Sequence, residues 1–236
     1  TGTEHQRLDL IHELRNIGPG EVVSADVWMA LPSDLPFQTL DGEPTFEPEP
    51  DEIVEDRWGQ PSAHWRLEEL ALAERVRHTM TVDVTLHDAR WFIYPERVGA
   101  LEDIPAEITD RYLVDEDKYR IDDPVIRRAV AEVVGDETNP YWIMRAIHHY
   151  VGEQLEYEMV GGWNVAPAVL ERGTGSCSEY TFVFIAMCRA AGLPARYVGG
   201  SLVRGDAAST DTGFHRWPEV YLPGYGWVPA DPQAGD

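Results

Sequence analysis

The sequence predicts an α+β protein in which a β-rich N-terminal part is followed by helices and then an antiparallel sheet. Three observations predict it. The run HTMTVDVTLHDARWFIYP (78–95) sets Val82, Val84 and Leu86 against polar neighbours with a period of two, as a strand with one buried face requires. Two later segments each open on a capping residue and a proline, Asp123-Pro124 and Asn139-Pro140, which is how helices begin. Beyond them, FHRWPEVYLPGYGWVPADP (214–232) reads as two strands joined around a Pro-Gly turn.

Taken in order, GEVVSADVWMALP (20–32) is rich in β-branched and aromatic residues and ends at Pro32. The acidic connection 41–61 carries Pro44, Pro48, Pro50 and Pro61, which favour extended loop or edge structure over helix. Residues 65–82 fit either strand, loop and strand or a short helix, and the strand reading is preferred. These short strands sum to an antiparallel β-sandwich spanning residues 1–112. From Leu113 the character changes, so 113–236 is read as a second domain. There, 122–135 is a helix closed by Gly135. The segment 139–157 is a helix with Trp142, Ile143, Ala146, Ile147, Tyr150 and Val151 on one face. A third helix runs from Ser176 to Ala191 and stops at Gly192-Leu193-Pro194, and ARYVGGSLV (195–203) is a strand.

Composition bounds the function. The 236 residues, 43% apolar, suffice for one large domain or two modest ones. No run of ~18 apolar residues suggests a membrane span. The N-terminus TGTEHQRLDL has no basic stretch followed by an apolar one, so no signal peptide is read there, and with no initiator Met the chain reads as a processed form or a fragment. The compartment and the oligomeric state are left unassigned. With 42 acidic against 19 basic residues, the net charge of -23 disfavours nucleic-acid phosphates and anionic lipid. It favours solubility and would favour cationic substrates, although an acidic proteome explains it as simply.

The chemistry concentrates in the last third. Cys177 and Cys188 lie on one predicted helix, ~16 Å apart at 1.5 Å per residue, too far for a disulfide. In GTGSCSEYTFVFIAMCRAAG (173–192) a Gly-rich turn delivers Cys177 to the first helical turn. Free N–H groups and the helix dipole there favour a thiolate and offer an oxyanion donor. Cys188 sits mid-helix and reads as packing. A thiolate nucleophile needs a base, and the base an orienting acceptor. His215 opens a strand, and the turn at 223–226 folds Asp231 back toward it.

The run C-x-E-Y at 177–180, then CRAAGLPARYVGG, then H-x-W-x-E-V-Y at 215–221, then GYGWVPADP, resembles the transglutaminase-like superfamily over roughly residues 124–236. The resemblance implies a papain-like/transglutaminase core, with a helix-borne Cys packed on an antiparallel sheet that carries His and Asp. It also implies that the N-terminal part is the immunoglobulin-like or sandwich domain found in many bacterial members. By that match Cys177 is the nucleophile, His215 the general base and acid, and Asp231 the orienting acid. Trp163 and Asn164 become candidates for the oxyanion site or the cleft wall. The chain departs from the pattern at Pro218, where the missing N–H suggests a bulge or an edge. It also stops five residues after Asp231, which suggests a catalytic domain truncated at its C-terminus.

The expected activity is cysteine-dependent acyl transfer on peptide or amide bonds through a thioester, hydrolysis being favoured over transamidation, with a peptide or protein as substrate. The alternative is a catalytically inactive binding scaffold. No cofactor is expected. No metal site is expected either: His5 and His12 lack companion ligands, adjacent His148 and His149 point apart and read as surface or partner contacts, and the calcium of animal relatives is not carried over. Glu179 is expected in a structural ion pair with Arg189 or Arg196.

Overall fold

The computed structural model describes residues 2–159, 163–201, 210 and 213–234. It divides into two compact units, Thr1–Arg90 and Trp91–Asp236. The division falls earlier than the expected 112/113. Ile104 is buried in the core of the second unit, and Ile93, Val98 and Leu101 pack against that core, so residues 91–112 belong to the second unit.

The first unit contains β1 (Thr3–Arg15), β2 (Ala25–Ala30), β3 (Gln38–Leu40), β4 (Thr45–Glu47), β5 (Glu52–Glu55), β6 (Pro61–Leu67) and β7 (Arg75–His87). One antiparallel sheet has the order β1-β7-β3, with β4 also on β7, and the other has the order β2-β6-β5. β7 alternates as its sequence requires: His78, Met80, Val82 and Val84 are buried. It pairs with β1 along its whole length, from Thr3↔His87 to Arg15↔Arg75. Inward residues of both sheets, including Val27, Met29, Ala63, Trp65 and Met80, form one apolar cluster. The prolines of 41–61 confine that stretch to the short strands β4 and β5.

The second unit contains α1 (Ala106–Tyr112), α2 (Pro124–Val133), α3 (Pro140–Gln154), β8 (Glu156–Tyr157), α4 (Ala166–Arg172), β9 (Thr174–Gly175), α5 (Cys177–Ala190), β10 (Ala195–Gly200), β11 (His215–Leu222) and β12 (Gly226–Pro229). The caps form as the sequence dictates. Asp123 accepts from Val125 N–H and Asn139 from Tyr141 N–H, each ahead of a first-turn proline. Every residue of α5 from Ser178 to Arg189 is buried, because α2, α3 and α4 pack on one side and β10 and β11 on the other. A helix that is apolar all round is the one that fits such a centre.

The buried stripe of α3 is Ile143, Met144, Ile147, His148 and Val151, rotated from the expected face. Trp142 stays about half exposed, and His148 takes a core position. The sheet order is β10-β11-β12, all antiparallel. Pro218 therefore lies in the central strand, and its register with Tyr197 runs on without a bulge. Its carbonyl accepts from Ala230 N–H, just past the end of β12. The nitrogen of a strand residue points the same way as its carbonyl, so the missing donor falls where the β12 ladder ends and costs β10 nothing. The last residues of the predicted strand 195–203 and most of the loop 204–213 lie outside the described residues. No helix among the described residues is long and apolar enough to cross a membrane.

Candidate active site

Cys177 occupies the first position of α5, after Ser176 in extended conformation, and is partly exposed. Two glycines shape the approach. Gly173 ends α4 at φ +76°, and a Cβ on Gly175 would meet the Glu179 side chain at 3.1 Å. The closeness at Gly175 thus serves packing against Glu179.

Glu179, with 2% of its side chain exposed, pairs with Arg172 at 3.0 Å and accepts from the N–H groups of Asn164 (3.0 Å) and Ser176 (3.1 Å). Burial pushes its carboxyl up, but the two backbone donors and Arg172 outweigh burial and hold it below the usual range. The expected partners are engaged elsewhere: Arg189 with Glu116, and Arg196 with Glu219. Arg172 prevails because it ends the short helix that leads into the Cys turn. Only half of a capping box forms, since the Ser176 hydroxyl is buried without a partner.

Thr181, one turn beyond Cys177, places its hydroxyl 2.8 Å from the Cys177 carbonyl and 3.3 Å from that of Arg216. Its single proton lies between the turn that carries the thiol and the start of the strand opened by His215. The structure brings His215 and Asp231 together directly. His215 Nε2 lies 2.5 Å from Asp231 Oδ2, with 23% and 18% of the side chains exposed. An ionised carboxylate only accepts, so Nε2 carries the proton and Nδ1 is the nitrogen left for a thiol. Trp217 stacks beside the imidazole, 5.8 Å between centroids at 19°.

Asp231 is fixed at three points. Oδ1 accepts from Gln233 N–H at 3.1 Å, Oδ2 meets His215, and the main-chain carbonyl lies 3.0 Å from His148 Nε2. A carbonyl cannot donate, so His148 does. His148 is thus a buried member of the site, against the expectation of a surface contact. Beside it, a Cβ on Gly152 would come within 3.2 Å of the Pro232 carbonyl, so the loop that holds Asp231 lies close on α3. His149 does point away, with its Nε2 3.3 Å from Glu153 Oε1. The sequence signal for His148 was its place four residues from Met144 and three from Val151, on the stripe that turned out buried.

Trp163 meets Phe182 edge-on at 6.0 Å, lies under the Arg216 guanidinium, and accepts from Lys118 Nζ through its carbonyl. The Asn164 N–H is committed to Glu179. Cys188 is fully buried, and burial pushes its thiol far up.

Residues 127–232 match the model of the transglutaminase-like superfamily. The chain is 30% identical over 162 residues to an uncharacterized protein of Haemophilus influenzae, covering 56% of this chain and 44% of that protein. It is 27% identical over 128 residues to the uncharacterized protein YebA of Bacillus subtilis, covering 47% and 17%. The chain thus spans less than half the length of these curated relatives. A crystal structure of a candidate cysteine protease from Cytophaga hutchinsonii superposes with a TM-score of 0.65 at 18% identity, covering 98% of this chain and 78% of the other, and shares its fold. The matched segment is the one that holds Cys177, His215 and Asp231, and over it the chain is similar to the transglutaminase-like superfamily.

Proposed function

We propose that this chain catalyses cysteine-dependent acyl transfer on peptide or amide bonds, with Cys177 as nucleophile, His215 as general base and acid, and Asp231 as its orienting partner. The observation that carries the reading is the 2.5 Å His215–Asp231 pair on the sheet against which the Cys177 helix packs. His215 takes the thiol proton at Nδ1, and the helix N-terminus stabilises the thiolate. The thiolate attacks the amide carbon. The developing oxyanion meets the Cys177 N–H, which has no intrahelical acceptor at that position, and a second donor drawn from the Trp163 indole or the Asn164 carboxamide. His215 returns the proton to the departing amine as the C–N bond breaks, leaving a thioester. Water then attacks; His215 takes its proton, the C–S bond breaks, and the thiolate is regenerated with a free acid.

Hydrolysis is preferred to transamidation because the similar Cytophaga protein is a candidate cysteine protease and Cys177 is open to water. On the same footing, the two sheets of the N-terminal unit are read as a β-sandwich that accompanies the catalytic unit. The test is a peptide and amide substrate screen in the presence and absence of a fluorescent primary amine. Cys177→Ala is expected to abolish turnover by about 10³-fold or more, to the level of binding alone. Turnover retained in that variant would remove the nucleophile assignment. Amine incorporation faster than hydrolysis would reverse the preference.

A further inference from the structure

We propose that Arg216, set between Trp163 and Phe214 on the sheet face of Tyr197, forms a subsite for a carboxylate on the substrate, so that the preferred amide lies next to an anionic group. The proposal rests on the acyl-transfer reading and names the substrate class for it.

Arg216 comes directly after His215 in the chain and pairs with Gly199. It therefore shares a sheet face with Tyr197, two residues along β10, which hydrogen-bonds Ser178, the neighbour of Cys177, at 3.0 Å. The guanidinium lies 6.0 Å from the Trp163 ring centroid and 5.5 Å from that of Phe214, and its Nη1 donates to the Phe214 carbonyl at 2.8 Å. Its charge also acts on the Tyr197 hydroxyl, against the burial that raises that group's pKa. Its described neighbours are thus a carbonyl, a phenol and two aromatic rings, none of them a carboxylate. The Phe214 carbonyl takes one of five N–H donors, so at most four remain. Contact with aromatic faces orients a guanidinium while its edge keeps the fork that binds a carboxylate bidentately. Trp163 is 48% exposed and Phe214 47%, so the described walls of the subsite are open and apolar.

The chain's net charge of -23 argues for cationic substrates only at long range. Distant exposed charges are screened beyond ~8 Å at physiological ionic strength, whereas a guanidinium in contact is not. Composition therefore points one way and the site the other. The carboxylate has two sources, an Asp or Glu side chain beside the scissile bond or the α-carboxylate of a chain end.

The test compares alkylation of Cys177 by iodoacetate and iodoacetamide, which differ in the carboxylate. The rate ratio of iodoacetate to iodoacetamide is expected to exceed that of free cysteine in the wild type. In Arg216→Gln it should fall about tenfold or more, and Arg216→Lys should retain part of it. Equal ratios in wild type and Arg216→Gln overturn the proposal. The ratio is defined for a slow thiol as well as a fast one, so an unreactive Cys177 contradicts the catalytic reading separately from this one. Peptide pairs then identify the source. Glu against Gln, and free against amidated C-terminus, are compared by kcat/KM in both proteins. The pair whose preference collapses in Arg216→Gln names the carboxylate, and a preference for the uncharged member of both pairs overturns the subsite.

Discussion

At Asp231 three contacts converge on one residue: the imidazole of His215, the N–H of Gln233 and the ring of His148. Asp231→Asn keeps the size but presents the wrong hydrogen-bonding pattern to His215. Turnover is expected to fall about 10²–10⁴-fold, with iodoacetamide labelling partly retained, as read by steady-state rates and mass spectrometry. His148→Phe keeps a ring in the core but leaves the Asp231 carbonyl unpaired. It should cost about 1–3 kcal/mol in denaturant unfolding and slow turnover as the carboxylate loses its fixed position. A variant with wild-type rate and stability would show that His148 does not position Asp231. At this scale the placements of Cys177 at a helix start, His215 at a strand start and Asp231 just past a strand end were legible, because a glycine or proline lies within two residues of each. His148 was not, because a histidine on a helix carries no mark of which side packs inward, and a one-residue rotation of the apolar stripe decided it.

Helix α5 owes its start to Glu179, whose carboxylate gathers Asn164 N–H, Ser176 N–H and Arg172 ahead of Cys177. Because its folded pKa is lowered, its contribution is fully present above the ordinary value near 4.5 and is lost as pH falls through the folded value. Glu179→Gln should therefore destabilise by about 2–3 kcal/mol at neutral pH, with the deficit against wild type shrinking in acid. Chemical denaturation at pH 7 and pH 3.5 measures both, and a deficit unchanged at the lower pH would contradict the account. The helices and late strands were readable from caps and turn residues. The polar strand β1 was not singled out, because its half-buried Leu8, Leu10 and Leu14 are diluted by charges and its partner strand β7 is distant in sequence. The Glu179 partner was missed for a related reason: Arg172 lies across a turn whose course the sequence does not give.

On the whole-molecule scale, the unit boundary after Arg90 makes a prediction of its own. A fragment of residues 91–236 should unfold cooperatively and label at Cys177. One of residues 113–236 loses Ile93, Val98, Leu101 and Ile104 from its core and should be weaker by on the order of 1–2 kcal/mol per residue removed. The first unit carries its own pH response. His78 is fully buried with both ring nitrogens unpartnered, opposite His12 in the β1–β7 register and 4.9 Å from the Trp65 ring. Burial first, and His12 second, lower its pKa. The unfolded chain thus binds more protons than the folded one as pH drops below about 6.5, and stability is lost in that direction. His78→Leu should flatten this acid loss in unfolding curves at pH 5 and pH 7.5. His64 opposes it. Bonds to Glu52 and Asp26 raise its pKa, so its contribution is complete below 6.5 and fades as pH rises through the folded value. The sequence announced two regions, but the ownership of residues 91–112 depended on which core their apolar side chains reached.

Whether His215 arms Cys177 is read from the pH dependence of iodoacetamide alkylation at Cys177, followed by mass spectrometry in wild type and His215→Ala. Wild-type Cys177 is expected to alkylate rapidly well below pH 8, faster than Cys188, and His215→Ala to lose the low-pH reactivity. An ordinary thiol profile, the same in both proteins, would contradict this arming and leave the domain a binding scaffold.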